Sequence, residues 1–406
     1  MSKSANIVKI SNYARLSINP LKKLKFEQNI RLNPEKDVIT LQLGDPSIFG
    51  NFPPAREMIE ALKRSVELDK YLYNPAAGRP EACAAVADYS KHHGNISAND
   101  IILTSGCGHA LEMCILTVVS AGENILIPRP CYNYKTWSDG MNIESRHYNL
   151  DPNNNWNVDL KHMESLIDDK TKAILVNSPG NPCGNVFSRE HLLEIISVAD
   201  RHNLPIISDE IYEFFAFPDV QYCSLSSLSI NVPVLTCSGL SKRFMTPGIR
   251  LGWILISDRN NRLAEVREGL LNVTGRILGP NSAVQHALPE ILRKTPDSFF
   301  ADNISRINKH ARIAVEILSK CHGLFPTEPR GAMFMMTLID LKKFPSFQSC
   351  REWTEKLAEE QSVLLYPGSP CFNFPGCFRM VLTVPEDKII SACERIKEFC
   401  QKYCRE

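Results

Sequence analysis

The feature that most constrains this chain is a regular alternation of short apolar runs with helix-length amphipathic stretches. The runs are of strand length: Asp100–Thr104, Asn124–Pro128, Lys172–Asn177, Leu204–Asp209, Val232–Cys237 and Gly252–Ser257. Nearly every residue in them is apolar, as expected of strands covered on both faces in a mainly parallel sheet. Between them lie "GHALEMCILTVVSA", "DLKHMESLIDD" and "SREHLLEIISVADRHN", whose apolar residues recur at helical spacing. Such alternation specifies an α/β domain.

The pattern changes in the last quarter. After "NKHARIAVEILSK" come two strand-like runs, "GAMFMMTLI" and "CFRMVLTV", and a closing helix from about Pro385. A smaller α+β domain is expected there, over residues 296–406, beside a large domain over 54–295. Residues 1–53 read as an irregular arm, rich in Pro and Asn, that packs on the small domain or on a neighbouring subunit. At 406 residues, 44% of them hydrophobic and 22% charged, the chain can bury such a core without metal or disulfides. A net charge of +1 gives no electrostatic footprint for nucleic acid or an anionic membrane. No apolar stretch approaches a membrane span, and the N-terminus has no h-region of a signal peptide. The fourteen cysteines are scattered singly through apolar runs, the usage of buried free thiols in a reducing compartment, so a cytoplasmic location is expected. "CQKYC" has no second pair nearby, and no zinc site is expected from it.

In open α/β sheets ligands bind beyond the carboxyl ends of the strands. The first run is followed by "SGCGHA", small residues opening a helix whose free N–H groups can hold a phosphate. The second is followed by "RPCYNY", with aromatics able to cover a planar ring. The third leads to "SPGNPCG", a turn displaying Asn181. The fourth runs into Asp209, Glu210 and Tyr212, and the fifth into "SGLSKRFMTPGIRLGW", with Lys242 and Arg250. Each piece alone has a plainer explanation. A glycine-rich turn is punctuation, Asp209 could be a helix N-cap, and a lone lysine is normally solvated. Five such strand ends in order supply a phosphate cradle, ring cover, an amide, a carboxylate with a phenol, and an amine. Those are the parts that hold a phosphorylated aromatic aldehyde.

With these residues in view, the chain resembles the pyridoxal-phosphate-dependent aminotransferases of fold type I, subgroup I. The shared segments are "SINP", "LQLGDPSIFGNF", "YNPAAGRPE", "ILTSGCGHALEMC", "NSPGNPCGNVFS", "ISDEIYEFFAF", "GLSKRFMTPGIRLGW", "RILGPNSAVQHAL" and "CFRMVLTVPE". "GDPSIFGNF", "RILGP" and "CFRMVLTVPE" are most similar to the tyrosine aminotransferase branch. The resemblance implies a large domain with a mainly parallel sheet plus a smaller α+β domain. It implies pyridoxal 5'-phosphate as cofactor, and transfer of an amino group from an aromatic L-amino acid to a 2-oxo acid such as 2-oxoglutarate or pyruvate.

The resemblance also implies roles. Lys242 would condense with the cofactor aldehyde and, once freed, move the substrate proton. Asp209 would pair with the ring nitrogen, and Asn181 and Tyr212 would hydrogen-bond the phenolate oxygen. Tyr132 would stack on the ring. Arg250, with Gly106, Cys107, Gly108 and Ser241, would hold the phosphate. Arg379 would grip the substrate carboxylate in a two-bond fork, with the backbone of Gly44 and the side chain of Asn181 beside it. Tyr73 would reach the phosphate in the partner subunit's site, which implies a homodimer. The chain departs from the family pattern at Ser178-Pro179, where Asn-Pro is usual, and at Gly239, Met245 and Thr246. The loop carrying Tyr132 is one residue shorter, and His109 replaces a glutamine, with the expectation that it faces solvent or the cofactor edge. The side-chain pocket is not legible in sequence. A broad-range or alanine-type aminotransferase, a lyase of the same fold such as an aminocyclopropane-carboxylate synthase, and a cofactor-less relative stay as alternatives.

Overall fold

A computed structural model describes residues 8–23, 30–68 and 71–405. Residues 1–7 and 24–29 of the expected arm lie outside them. The strands in chain order are β1 (Ile39–Thr40), β2 (Ile101–Thr104), β3 (Asn124–Arg129), β4 (Glu144–Asp151), β5 (Asn157–Val158), β6 (Thr171–Asn177) and β7 (Ile206–Asp209). They continue with β8 (Val234–Gly239), β9 (Gly252–Ser257), β10 (Leu324–Pro326), β11 (Phe334–Ile339), β12 (Val363–Leu364), β13 (Tyr366–Pro367) and β14 (Cys377–Val381).

Eight of these strands form one sheet in the order β2-β9-β8-β7-β6-β3-β4-β5. Strands β4, β3, β6, β7 and β8 run parallel to one another, and β5 is antiparallel to β4. Strand β9 is antiparallel to both β8 and β2. All six runs found in the sequence are in this sheet, within two residues of the expected bounds. The burial of both faces has a visible cause. Along β6, Ala173 and Leu175 enter one core cluster while Ile174 and Val176 enter another on the opposite face. Along β9, Ile254 and Ile256 pack in the first cluster and Trp253 and Leu255 in a third. The period-2 alternation of a strand therefore meets a packed layer on each side. Strand β4 was not expected. Its sequence, "ESRHYNLD", is largely polar, because its face is only half covered near the sheet edge.

The helix expected over 159–169 stops early, at Leu160–Ser165, and the other two are close to expectation at Cys107–Val118 and Arg189–Arg201. The second sheet, β10-β11-β14-β13, is antiparallel throughout; the helix Cys350–Gln361 packs on it, and the closing helix Glu386–Tyr403 packs on that helix. Strand β1 pairs with β12, and Leu41 O accepts a hydrogen bond from Val381 N, so this part of the arm packs against the C-terminal region. The earlier part, around Ser17 and Ile18, instead touches the helix Lys135–Asp139, where Thr136 Oγ1 donates to Ile18 O.

Candidate active site

A cavity of about 290 Å³ opens beside the carboxyl ends of β6, β7 and β8. Gly44, Cys107, Gly108, Tyr132, Asn181, Asp209, Tyr212, Ser241, Lys242, Arg250 and Arg379 all line it. The structure thus brings together eleven of the thirteen residues that the sequence singles out. Gly106 stands directly behind the lining, and Tyr73 lies elsewhere, 87% exposed.

Asp209 ends β7 and is buried. Its Oδ2 accepts from the phenol of Tyr134 at 2.7 Å, and its Oδ1 from Ile211 N at 3.2 Å and from the Cys107 thiol at 3.7 Å. All three donors are neutral. Burial pushes the carboxyl up to about 6, although the Tyr134, Ile211 and Cys107 hydrogen bonds pull it down. The bond to Ile211 N shows that the plainer capping role is also filled, but for a turn rather than a helix.

Asn177, the last residue of β6, ties two of these elements together. Its Nδ2 donates to Asp209 O at 2.9 Å, and its Oδ1 accepts from Asn181 N at 2.8 Å. Asn181 Oδ1 in turn accepts from Arg379 Nη1 at 2.9 Å, which leaves the amide N–H₂ as a donor. Tyr212 is buried edge-on against Phe334, with ring centroids 5.7 Å apart. Burial pushes its phenol up, so it stays a hydrogen-bond donor.

Lys242 rises from the turn after β8, and its Nζ donates to Gly44 O at 2.5 Å. The residue is only partly covered, its open side being the cavity itself. Desolvation lowers the amine to about 8; Asp45 opposes this, while Arg379 and Arg250 add to it. Arg379, on β14, is 2% exposed, with its guanidinium 4.4 Å from the Phe334 ring centroid and 4.8 Å from that of Phe372. Nη2 donates to Gln42 O at 2.6 Å, and Nε makes no hydrogen bond. Burial lowers it to about 10, so it stays charged near neutrality without an anion beside it.

The phosphate side is made by close backbone approach. Gly106 has φ +89° and is the N-cap of the helix Cys107–Val118, with no side chain capping the free N–H groups. A Cβ on Gly106 would lie 2.5 Å from Arg250 Nη2, and one on Gly252 would lie 2.6 Å from Cys107 N. The helix start, β9 and Arg250 meet only because those positions carry no side chain. Arg250 itself is exposed, has left-handed backbone angles, and donates to Pro247 O at 2.9 Å and Ser105 O at 3.1 Å. His109 is half-buried, and its Nδ1 accepts from Ser105 N at 3.2 Å, so it supports the cradle loop from behind.

Two residues of this site are not signalled by the sequence. Tyr134 is overshadowed there by its neighbour Tyr132, and only its place five residues past the end of β3 points to it. Asn177 reads as the last residue of a strand.

A model of the class I and II aminotransferases matches residues 36–396. The chain belongs to that family. It is 44% identical to a tyrosine aminotransferase of Mus musculus over 98% of this chain and 88% of that one. It is 40% identical to a tyrosine aminotransferase of Dictyostelium discoideum over 98% and 97%. The crystal structure of tyrosine aminotransferase from Leishmania infantum superposes with a TM-score of 0.94, at 29% identity over 99% of this chain and 100% of that one. The fold is therefore that of the fold type I aminotransferases, which use pyridoxal phosphate. The cavity fits that cofactor. It holds a buried carboxylate bonded only to neutral donors, an amine made less basic by desolvation, and a cradle whose Arg250 any side chain on Gly106 would displace.

Proposed function

We propose that the chain transfers the amino group of an aromatic L-amino acid, tyrosine above all, to a 2-oxo acid such as 2-oxoglutarate or pyruvate. The observation that carries this is the joint placement of Asp209, Lys242 and Arg379 on one cavity. Asp209 has no cation among its hydrogen-bond partners and is placed to keep a ring nitrogen protonated. A charge-assisted bond of this kind contributes about 1.5–3 kcal/mol. The cofactor, when bound, supplies the electron sink for the pair left at the substrate Cα. Lys242, neutral above about pH 8, takes the Cα proton and returns it on the other side of the shuttle. Arg379 holds the substrate carboxylate, with Asn181 fixing the guanidinium plane and Gly44 leaving its backbone accessible. Asn181 and Tyr212 donate to the cofactor's phenolate oxygen. Tyr132 covers the ring, and Ser241, Cys107, Gly108 and Arg250 hold the phosphate. The cavity lies between elements of 54–295 and 296–406, which we take as the cofactor-binding and small domains.

Aromatic preference is supported by the apolar lining of the cavity: Leu21, Leu43, Trp137, Phe334 and Tyr366. Among the described lining residues the only cations are Lys242, Arg250 and Arg379, so no dedicated cation favours a dicarboxylic donor, and a dicarboxylic 2-oxo acid would seat its second carboxylate without one. The alanine-type alternative has a structural likeness of its own, an alanine aminotransferase from Pyrococcus furiosus with a TM-score of 0.90 at 26% identity. We take the active unit as a cytosolic homodimer. Tyr71, Leu72 and Tyr73 are exposed beside Ile277 and Leu278, where Asn74 donates to Ser282. That apolar face suits a second copy, which would carry Tyr73 to its partner's phosphate cradle.

The test is a donor profile at fixed 2-oxo acid. Tyrosine and phenylalanine are expected to give kcat/KM at least about tenfold above alanine and aspartate, with ping-pong kinetics. A profile led by alanine would move the chain to the alternative. Consumption of the donor beyond one equivalent per site without any acceptor would make it a lyase.

A further inference from the structure

Outside the lining of the cofactor cavity, three potential metal ligands converge. His92 and His93 close the short 3-10 helix Lys91–His93, and Glu213 follows β7 by four residues. Their ligand atoms all lie within 4.8 Å of one another. Glu213 Oε2 is 3.3 Å from His92 Nε2 and 3.4 Å from His93 Nε2. In a tetrahedral zinc site with bonds near 2.0–2.1 Å, neighbouring ligand atoms stand about 3.3 Å apart. The spacing seen is that of such an edge.

The surroundings support a built site. The side chains of His93 and Glu213 are 0% and 1% exposed, and His92 forms the rim at 22%. His92 Nε2 is shut off from solvent yet makes no aligned hydrogen bond. His93 Nδ1 is 2.8 Å from both Ser224 Oγ and Ser226 Oγ. In the tautomer with Nδ1–H donated to those oxygens, the Nε2 lone pair would face Glu213 Oε2 at 3.4 Å, a gap that a cation can bridge in place of a proton. Ser238 Oγ donates to the other oxygen of Glu213 at 3.0 Å, which fixes the carboxylate plane. Phe214, the next residue, has φ +57°, an uncommon conformation for an aromatic residue.

We propose that His92, His93 and Glu213 bind one zinc ion per chain, with water completing the tetrahedron at the His92 rim. Two imidazoles and one carboxylate are a nitrogen–oxygen set that suits zinc and excludes magnesium or calcium. The ion is a staple. It joins the segment after the helix Pro80–Tyr89 to the turn that carries Tyr212 and follows Asp209. This holds whatever amino acid the cavity accepts.

The holoenzyme, dialysed against a chelator and then freed of it, is titrated with cobalt(II) and afterwards with zinc. One cobalt per chain is expected, with the visible band of a tetrahedral site that zinc abolishes. Glu213→Gln and His92→Ala are each expected to weaken binding by at least about tenfold, the loss usual even for groups that merely support a ligand. His92 is at the rim, so its alanine variant tests the site even if the buried Glu213 variant does not fold. No stoichiometric binding by the unaltered protein would overturn the proposal and leave a plain ion pair. Equal binding by the His92→Ala variant would overturn it too, by placing the ion elsewhere.

Discussion

Arg250 and Arg379 line the same cavity, but one is exposed and the other is 2% exposed. Arg250 stands at the end of a turn and spends its N–H groups on two backbone carbonyls, Pro247 O and Ser105 O. Around it the anion site is made of backbone: a bare helix start and glycines that permit close approach. Arg379 is on a central strand of the small sheet, flanked by β11 and β13. Phe334, Phe372 and Tyr366 surround it, and it is fixed by Asn181 and Gln42. The difference teaches how the two anions are to be held. A phosphate that stays needs many shared N–H groups and tolerates water. A carboxylate that must enter, be oriented and leave is better read by one rigid, desolvated fork, where each bond is strong and geometry counts.

Lys242 shares the cavity with both, and its loss has the largest expected effect. Lys242→Ala should lower kcat by about 10⁴-fold or more and remove the cofactor's characteristic absorbance shift on tyrosine addition, with substrate still binding at Arg379. Next in size is Asp209, which belongs to neither site. The folded protein holds its carboxyl proton up to about pH 6, against a usual 3.8 for a free carboxyl. The unfolded chain therefore releases that proton first, and this group's contribution to stability falls as pH rises from about 4 to about 6. The fall is about 3 kcal/mol in the cofactor-free protein. Asp209→Asn should lack it, as urea midpoints across that range would show; parallel curves for the two proteins would contradict the assignment.

Arg379→Lys sharpens the comparison directly. A lysine cannot reproduce the fork, so kcat/KM for tyrosine should drop about 10–100-fold, with cofactor affinity unchanged. Arg250→Ala should do the reverse at smaller size. Cofactor affinity should weaken about tenfold, more at low salt than at high salt because the group is exposed, and excess cofactor should restore the rate. If the Arg250 and Arg379 variants shifted the same parameter, the division of labour between the two sides would be wrong.

Much of this is legible in the sequence because strands buried on both faces leave unbroken apolar runs, and ligands sit against the residues just beyond each run. Lys242, Asp209, Asn181 and Arg250 stand out in that way. Arg379 is reached by resemblance, since a charged residue inside "CFRMVLTV" looks like a strand residue and only the packing of three rings reveals its setting. Tyr134 and Asn177 stay hidden for a related reason. Their roles are hydrogen bonds across 75 and 32 residues of chain, to the carboxylate and the backbone of Asp209, and no local spacing encodes them. The polar strand β4 is hidden because its sheet edge is half wet. The His92–His93–Glu213 cluster likewise joins segments 120 residues apart.

The central claim is that Lys242 and Asp209 share one cavity around a B6 aldehyde. Borohydride reduction of the holoenzyme, followed by proteolysis and mass analysis, tests it most directly. The account predicts a single modified peptide carrying the cofactor mass on Lys242. Modification of any other lysine, or none, would contradict it.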